Sequence, residues 1–159
     1  MEDKARSLVA RLKERGSTIS TAESITGGRI ASAVTAVPGS SEIFPGGIVS
    51  YCDRIKAELL GVPKTLLNQF GAVSEPVAIA MAQGAAQRLK TDFAVSATGL
   101  AGPDGDGSGQ PVGTVFLGLY AEGKTWCSHL TLEGSREQIQ HQAVEQALEL
   151  VLSALEDNL

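Results

Sequence analysis

Aromatic side chains are scarce in this chain, making up 4% of its 159 residues. Stacked rings cannot supply the core, which must be built from small and branched aliphatic residues. Positive charge is also short, with 13 Lys and Arg against 18 Asp and Glu and a formal net charge of −5. That balance excludes a nucleic-acid platform, which needs a broad basic surface, but leaves a local anion pocket open. No apolar run approaches the roughly 20 residues of a membrane-crossing helix. The opening MEDKARSLVARLKERG is charged throughout and lacks the apolar centre of an export signal. Neither nucleic acid nor a membrane is expected as a partner, and the expected location is cytoplasmic. Two cysteines, Cys52 and Cys127, and two histidines, His129 and His141, show no ligand-like spacing. No metal site is expected, and both thiols are expected to be reduced core residues.

What the chain does have is periodicity. Its 43% hydrophobic and 19% charged residues are ordinary for a globular protein, and the length fits one domain over residues 1–159. Ala5, Leu8, Val9 and Leu12 recur at helical spacing and predict a helix over 3–15. Residues 17–22 read as a short strand, and Ile30, Ala33, Val34 and Val37 as a helix face ending before Pro38. PGSSEIFPGG is a loop by composition. Ile48, Val49 and Tyr51 suggest a strand, Asp53 opens a helix through DRIKAELLG, and Pro63 fits the first turn of another. Ser74 reads as the N-cap of a helix carrying Val77, Met81, Ala85 and Leu89 on one side. Residues 92–98 form a buried strand, a glycine-rich loop runs from Gly99 to Gly113, and TVFLGLYAEGKTWCSHLTL reads as two strands around a tight turn. Gly134 and Ser135 precede a last long helix with Ile139, Ala143, Ala147 and Val151 on its core face. Alternating helices and strands followed by a hairpin predict an α/β fold, a three-layer α/β/α domain with a mixed, mostly parallel sheet.

Two motifs mislead. Gly118-x4-Gly123-Lys124-Thr125 matches the phosphate-loop pattern, but the residues after Lys124 are strand-like where a helix should open. A hairpin turn is the better reading. Asp104-x-Asp106-x-Ser108-Gly109 opens like a calcium loop, yet its twelfth position is Val115, where a bidentate glutamate is required. A flexible polar loop is the better reading there.

The segment TAESITGGRIASAV is the most informative. Ser24 falls where a predicted strand hands over to a predicted helix, with Thr26, Gly27 and Gly28 directly after it. Glycines let a substrate approach the backbone, and the first helix amides can stabilise an oxyanion formed when a serine attacks a carbonyl. Equally, Ser24 or Thr26 can be a plain N-cap. A serine nucleophile needs a base, and no Ser-x-x-Lys or G-x-S-x-G arrangement supplies one next to Ser24. Tyr51 and Lys56 lie near the end of the next predicted strand, and strand ends converge at one edge of a parallel sheet. On physical grounds alone a lone helical lysine is a solvated surface charge. Thr98, Gly99 and Gly102 follow a buried strand, and Arg136 opens the last helix, where amides and a guanidinium can bind phosphate. A tight turn and an ordinary helix cap account for these two segments as well.

Taken in order, AES-x-TGG at 22–28, PGSS with F-x-GG and Y-x4-K at 38–56, LGV and GAVSEP at 60–76, TG-x-AGP-x-G with PVGTV at 98–115, and G-x-R at 134–136 resemble the CinA C-terminal family. The resemblance runs from about residue 4 to about residue 152 of the sequence. It implies an α/β/α fold and, through the family's stand-alone nicotinamide-nucleotide amidases, hydrolysis of the carboxamide of nicotinamide mononucleotide to nicotinic acid mononucleotide and ammonia. It implies a Ser/Lys hydrolase with no metal or other cofactor, acting on a small nucleotide, and a homo-oligomer such as a dimer. Carried over by motif, Ser24 is the nucleophile, Lys56 the general base and Tyr51 an aid to proton transfer. Thr26, Gly27, Gly28, Thr98, Gly99, Gly102 and Arg136 are the substrate-contacting candidates. The chain departs from the family pattern at Ile25, Asp53, Asp106 with the DGSGQ stretch, and Gln140. The last two changes remove positive charge and motivate an alternative, a non-catalytic nucleotide- or partner-binding module. A cysteine hydrolase using Cys52 and a histidine is a third reading, and strand alternation would point Cys52 away from Tyr51.

Overall fold

The computed structural model describes residues 1–157, so the last two residues of the expected 1–159 domain lie outside the described residues. In chain order the elements are α1 (Glu2–Arg15), β1 (Ile19–Glu23), α2 (Arg29–Thr35), β2 (Gly46–Val49), α3 (Asp53–Leu60), α4 (Lys64–Phe70), α5 (Glu75–Leu89), β3 (Phe93–Gly99), β4 (Thr114–Ala121), β5 (Lys124–Thr131) and α6 (Arg136–Leu155). The strands form one sheet in the order β2-β1-β3-β4-β5. β1 pairs in parallel with β2 and β3, while β4 runs antiparallel to both β3 and β5. Four strands therefore share one direction and β4 opposes them.

The sheet is covered on both faces because its strands are apolar on both. Alternate side chains of β3 go to opposite layers: Phe93, Val95 and Ala97 pack with α1, α2 and α6, and Ala94 packs with α3, α4 and α5. The first layer is aliphatic, with Leu8, Leu12, Ile30, Val144 and Leu148 buried in it. The second is alanine-rich and close-packed. A Cβ on Gly118 of β4 would lie 2.2 Å from the Ala78 carbonyl oxygen of α5, so only glycine allows that approach. Ser96 Oγ donates to the Ala78 carbonyl at 2.6 Å and accepts from the Gly118 amide at 3.1 Å, which satisfies a buried hydroxyl at the same contact.

The chain leaves β1 for α2 on one face of the sheet and leaves β2 for α3 on the other. Where successive connections diverge like this, a crevice opens at the carboxyl edge of the parallel strands. The phosphate-loop look-alike is the β4–β5 turn, with positive φ at Glu122 (49°) and Gly123 (92°) as a tight hairpin needs. Several local expectations shift. β2 stops at Val49, so Tyr51 and Cys52 lie beyond the strand and its alternation does not apply to them. Cys52 is exposed and Cys127 half-buried, so neither is a core thiol in the full sense; burial pushes the Cys127 thiol up to about 12. Ser74 does occupy the N-cap of α5, but its hydroxyl donates to the Gly71 carbonyl and leaves the helix amides uncapped by it. Among the described residues no helix is long and apolar enough to cross a membrane.

Candidate active site

Ser24 is placed by the sheet itself. Its amide donates to the Ala97 carbonyl at 2.9 Å, extending the β1–β3 ladder by one residue. On the other side the Ser50 amide donates to the Glu23 carbonyl at 2.8 Å, extending the β1–β2 ladder. Ser24 and Ser50 are thereby fixed at the carboxyl edge of adjoining parallel strands. The Ser50 carbonyl then accepts from Lys56 Nζ at 2.7 Å, and the same nitrogen lies 3.1 Å from Ser24 Oγ. Lys56 is 1% exposed and Ser24 8% exposed, so the amine is aimed inward and not into solvent as a helical lysine ordinarily is.

Burial lowers the Lys56 pKa from its ordinary value, while Asp53 and then Cys52 act electrostatically to raise it. Neither group in hydrogen-bond contact with the amine is a carboxylate. A buried ammonium without an ionic partner is costly, and losing the proton relieves that cost. The free amine can accept a proton from a hydroxyl within hydrogen-bond reach, which is the geometry of a base beside a nucleophile.

The two residues open onto a cavity of about 290 Å³ that Ile25, Thr98, Gly99, Gly102 and Arg136 also line. Tyr51 lies at its rim, 64% exposed. Its hydroxyl accepts from Arg136 Nη2 at 2.9 Å, and its hydrogen bond is with that guanidinium, not with Ser24 or Lys56. Arg136 Nη1 donates to the Gly102 carbonyl at 2.7 Å, so one guanidinium ties the start of α6 to the glycine-rich loop and to Tyr51. Thr98 Oγ1 donates to the Ala72 carbonyl at 2.8 Å, which commits its proton to the scaffold.

Thr26, Gly27 and Gly28 are adjacent to the site but do not line the cavity. Neither Ser24 nor Thr26 caps α2: the N-cap is Gly28, at φ 97°, and Thr26 Oγ1 is buried with no partner among the described residues. The cap is supplied by Glu23, a fully buried carboxylate whose two oxygens accept from the Ile30 amide at 2.8 Å and the Ala31 amide at 3.0 Å. An acid in this position is stabilised by the positive end of the helix. The expectation that the first amides of α2 hold an oxyanion is therefore corrected, because Glu23 occupies them. The Gly27 and Arg29 amides are committed to the Ser24 and Thr26 carbonyls, and those of Ile25, Thr26 and Gly28 remain without a hydrogen bond among the described residues.

Gln140 was a second residue whose role the sequence concealed. Its side chain is 7% exposed, and Nε2 donates to the Ile25 carbonyl at 3.0 Å, bracing the residue after Ser24 from α6. Gln110 likewise faces inward, donating to the Val73 carbonyl at 3.0 Å. Both glutamines thus act as ties to the backbone around the cavity. Cys52 does not line the cavity.

A cavity at the carboxyl edge of a mixed α/β sheet, floored by a buried amine and a hydroxyl, defines the class as an α/β protein with the makings of a hydrolytic site. The chain belongs to the CinA C-terminal domain family, whose model matches residues 1–155. It is similar to the CinA-like protein of Kosmotoga olearia, at 49% identity over 144 residues, covering 91% of this chain and 35% of that protein. The chain therefore spans little more than a third of the length of several curated relatives it matches. It is also similar to the nicotinamide-nucleotide amidohydrolase PncC of Shigella flexneri, at 45% identity over 141 residues, covering 87% of this chain and 84% of that one. Among solved structures, the CinA superfamily protein of Escherichia coli superposes with a TM-score of 0.94 at 34% identity, covering 96% of this chain and 89% of that chain.

Proposed function

We propose that this chain is an amidohydrolase that converts the carboxamide of nicotinamide mononucleotide to nicotinic acid mononucleotide and ammonia, with Ser24 as nucleophile and Lys56 as base. The observation that carries the reading is the 3.1 Å contact between Lys56 Nζ and Ser24 Oγ in a nearly solvent-free setting. The name of the Shigella flexneri relative, which the chain covers over most of its length, supports the substrate.

In this mechanism the neutral Lys56 amine takes the Ser24 hydroxyl proton as Oγ bonds to the carboxamide carbon. The Lys56 ammonium then gives that proton to the departing nitrogen, the C–N bond breaks, and ammonia leaves an acyl ester on Ser24. Water attacks the ester carbon and loses a proton to Lys56, and the proton returns to Ser24 Oγ as the acid is released. The open amides of Ile25 and Thr26, immediately after the nucleophile, are the candidates to stabilise the oxyanion. Arg136 and Tyr51 form the rim that meets the substrate's tail. The test is ammonia release from nicotinamide mononucleotide, compared with the Ser24→Ala protein. Turnover dependent on Ser24 supports the reading; binding of the nucleotide by calorimetry without product would favour the binding-module alternative.

A further inference from the structure

Glu23 stands one residue before the nucleophile, yet it does not line the cavity. It is fully buried and takes part in no ion pair among the described residues. Its partners are the Ile30 and Ala31 amides of α2. A buried carboxylate without a cation is a costly way to cap a helix, because a neutral hydroxyl or amide at the N-cap satisfies the same kind of donor. A hydroxyl is at hand in Thr26, and it is buried with no partner among the described residues. Capping alone therefore does not account for the acid.

The carboxylate and the nucleophile lie on opposite faces of the sheet. Ser24 Oγ meets Lys56 of α3 on one face, and Glu23 meets α2 on the other. Between them the chain rounds the carboxyl edge through residues 24–28. With two oxygens on two successive amides, Glu23 closes the chain from 23 to 31 into a loop and anchors the far end of that turn. The carbonyls of the turn are held as well. Those of Glu23, Ser24, Ile25 and Thr26 accept in order from Ser50, Gly27, Gln140 and Arg29. The amides of Ile25 and Thr26 are left open. We infer that Glu23 is a positioning residue: from the far face it fixes the turn after Ser24, so that the hydroxyl stays against Lys56 and the open amides keep their place. The inference rests on the Ser24 chemistry proposed above and adds a residue that acts through it.

Glu23→Gln keeps the side chain's shape but turns an NH2 donor toward one of the two α2 amides. Misplacing reacting groups by about 1 Å costs about 100-fold in rate. The variant is expected to lower kcat for ammonia release about 10- to 100-fold per folded protein, with KM held within about twofold. Glu23→Asp keeps the charge and shortens the reach by one methylene, so its kcat is expected to fall between the two. Ser32→Gly is the control. It weakens α2 at an exposed position without touching the carboxylate, so it should lower the urea midpoint and leave kcat unchanged. Full kcat in Glu23→Gln or Glu23→Asp, a change confined to KM, or an equal loss of kcat in Ser32→Gly overturns the inference. If neither Glu23 variant folds, the residue is a structural cap and the inference fails.

A second readout needs no nicotinamide substrate: the rate at which a fluorophosphonate labels Ser24, followed by mass spectrometry. In that reaction Ser24 Oγ bonds to phosphorus, fluoride leaves and the hydroxyl proton passes to Lys56. Labelling slowed by Glu23→Gln, with no ammonia from the unsubstituted protein, sinks the proposed substrate and keeps the role of Glu23. Ser24-dependent ammonia release with kcat unmoved by Glu23→Gln sinks the role of Glu23 alone. A Ser24 that neither labels nor turns over sinks both.

Discussion

Two hollows of nearly equal size, about 290 and 270 Å³, lie at opposite edges of the sheet. The one at the amino edge of β3 is lined by Arg15, Phe93, Glu122, Lys124 and Trp126. There the Arg15 guanidinium has an anionic partner: it pairs with Glu122 at 2.8 Å and sits 5.7 Å over the Phe93 ring. The one at the carboxyl edge holds Lys56, whose hydrogen-bond contacts are a hydroxyl and a carbonyl. Volume does not separate these hollows. An amine buried without an anionic partner does, because its easiest way to lower its energy is to lose a proton and become a base. The paired hollow has no comparable reason to react.

The comparison can be broken or sharpened by substitution. Ser24→Ala removes the nucleophile and should lower ammonia release from nicotinamide mononucleotide by about 10³-fold or more, measured by steady-state assay. Lys56→Met should abolish turnover to a similar extent and, unlike most core changes, stabilise the protein. The sign follows from the lowered Lys56 pKa. Between the folded and the unfolded value the unfolded chain binds the extra proton, so native stability rises with pH across that window. A thioether in the same space removes the penalty, raising the urea midpoint at neutral pH and flattening its rise toward alkaline pH; a lowered midpoint would contradict the account of the buried amine.

Gln140→Leu leaves the Ile25 carbonyl without its donor. A buried acceptor left unmet costs about 1–3 kcal/mol of stability, read by denaturant unfolding. If the tie also positions Ser24, kcat falls while KM holds; a change in KM alone would make Gln140 a substrate contact. The smallest effect belongs to the other hollow. Glu122→Gln disrupts an exposed ion pair and should change stability by no more than about 1 kcal/mol, with ammonia release unchanged. Loss of activity there would mean the two edges are coupled in a way the paired geometry does not suggest.

Much of the fold was legible because its periodic stretches are long and consistently punctuated. The α6 stripe, the β4–β5 turn at Glu122–Gly123 and the presence of a short strand at β1 follow from residue pattern and from turn chemistry; that β1 is buried along its whole length does not. The order of β2-β1-β3 did not, since pattern alone cannot say on which side of β1 the later strand returns. The site was less legible. Local reasoning makes Lys56 a surface charge, and the family resemblance, not the physics of the segment, brings it to Ser24. A signal was present nonetheless: Lys56 lies four residues before the buried Leu60, on the inward stripe of α3. Gln140 similarly precedes the buried Val144 by one turn of α6. Glu23 was missed because a cap is sought in the residue just before a helix, and here the carboxylate reaches back from the end of a strand. Treating polar residues on apolar stripes as candidates would have found Lys56 and Gln140 together.

The most direct measurement is a side-chain NMR titration of the protein with labelled lysines, assigning the Lys56 signal by its loss in Lys56→Met. The account predicts that Lys56 titrates below the other lysines, so that neutral amine is available beside Ser24. A Lys56 signal that titrates together with the surface lysines, in the ordinary range, would contradict it.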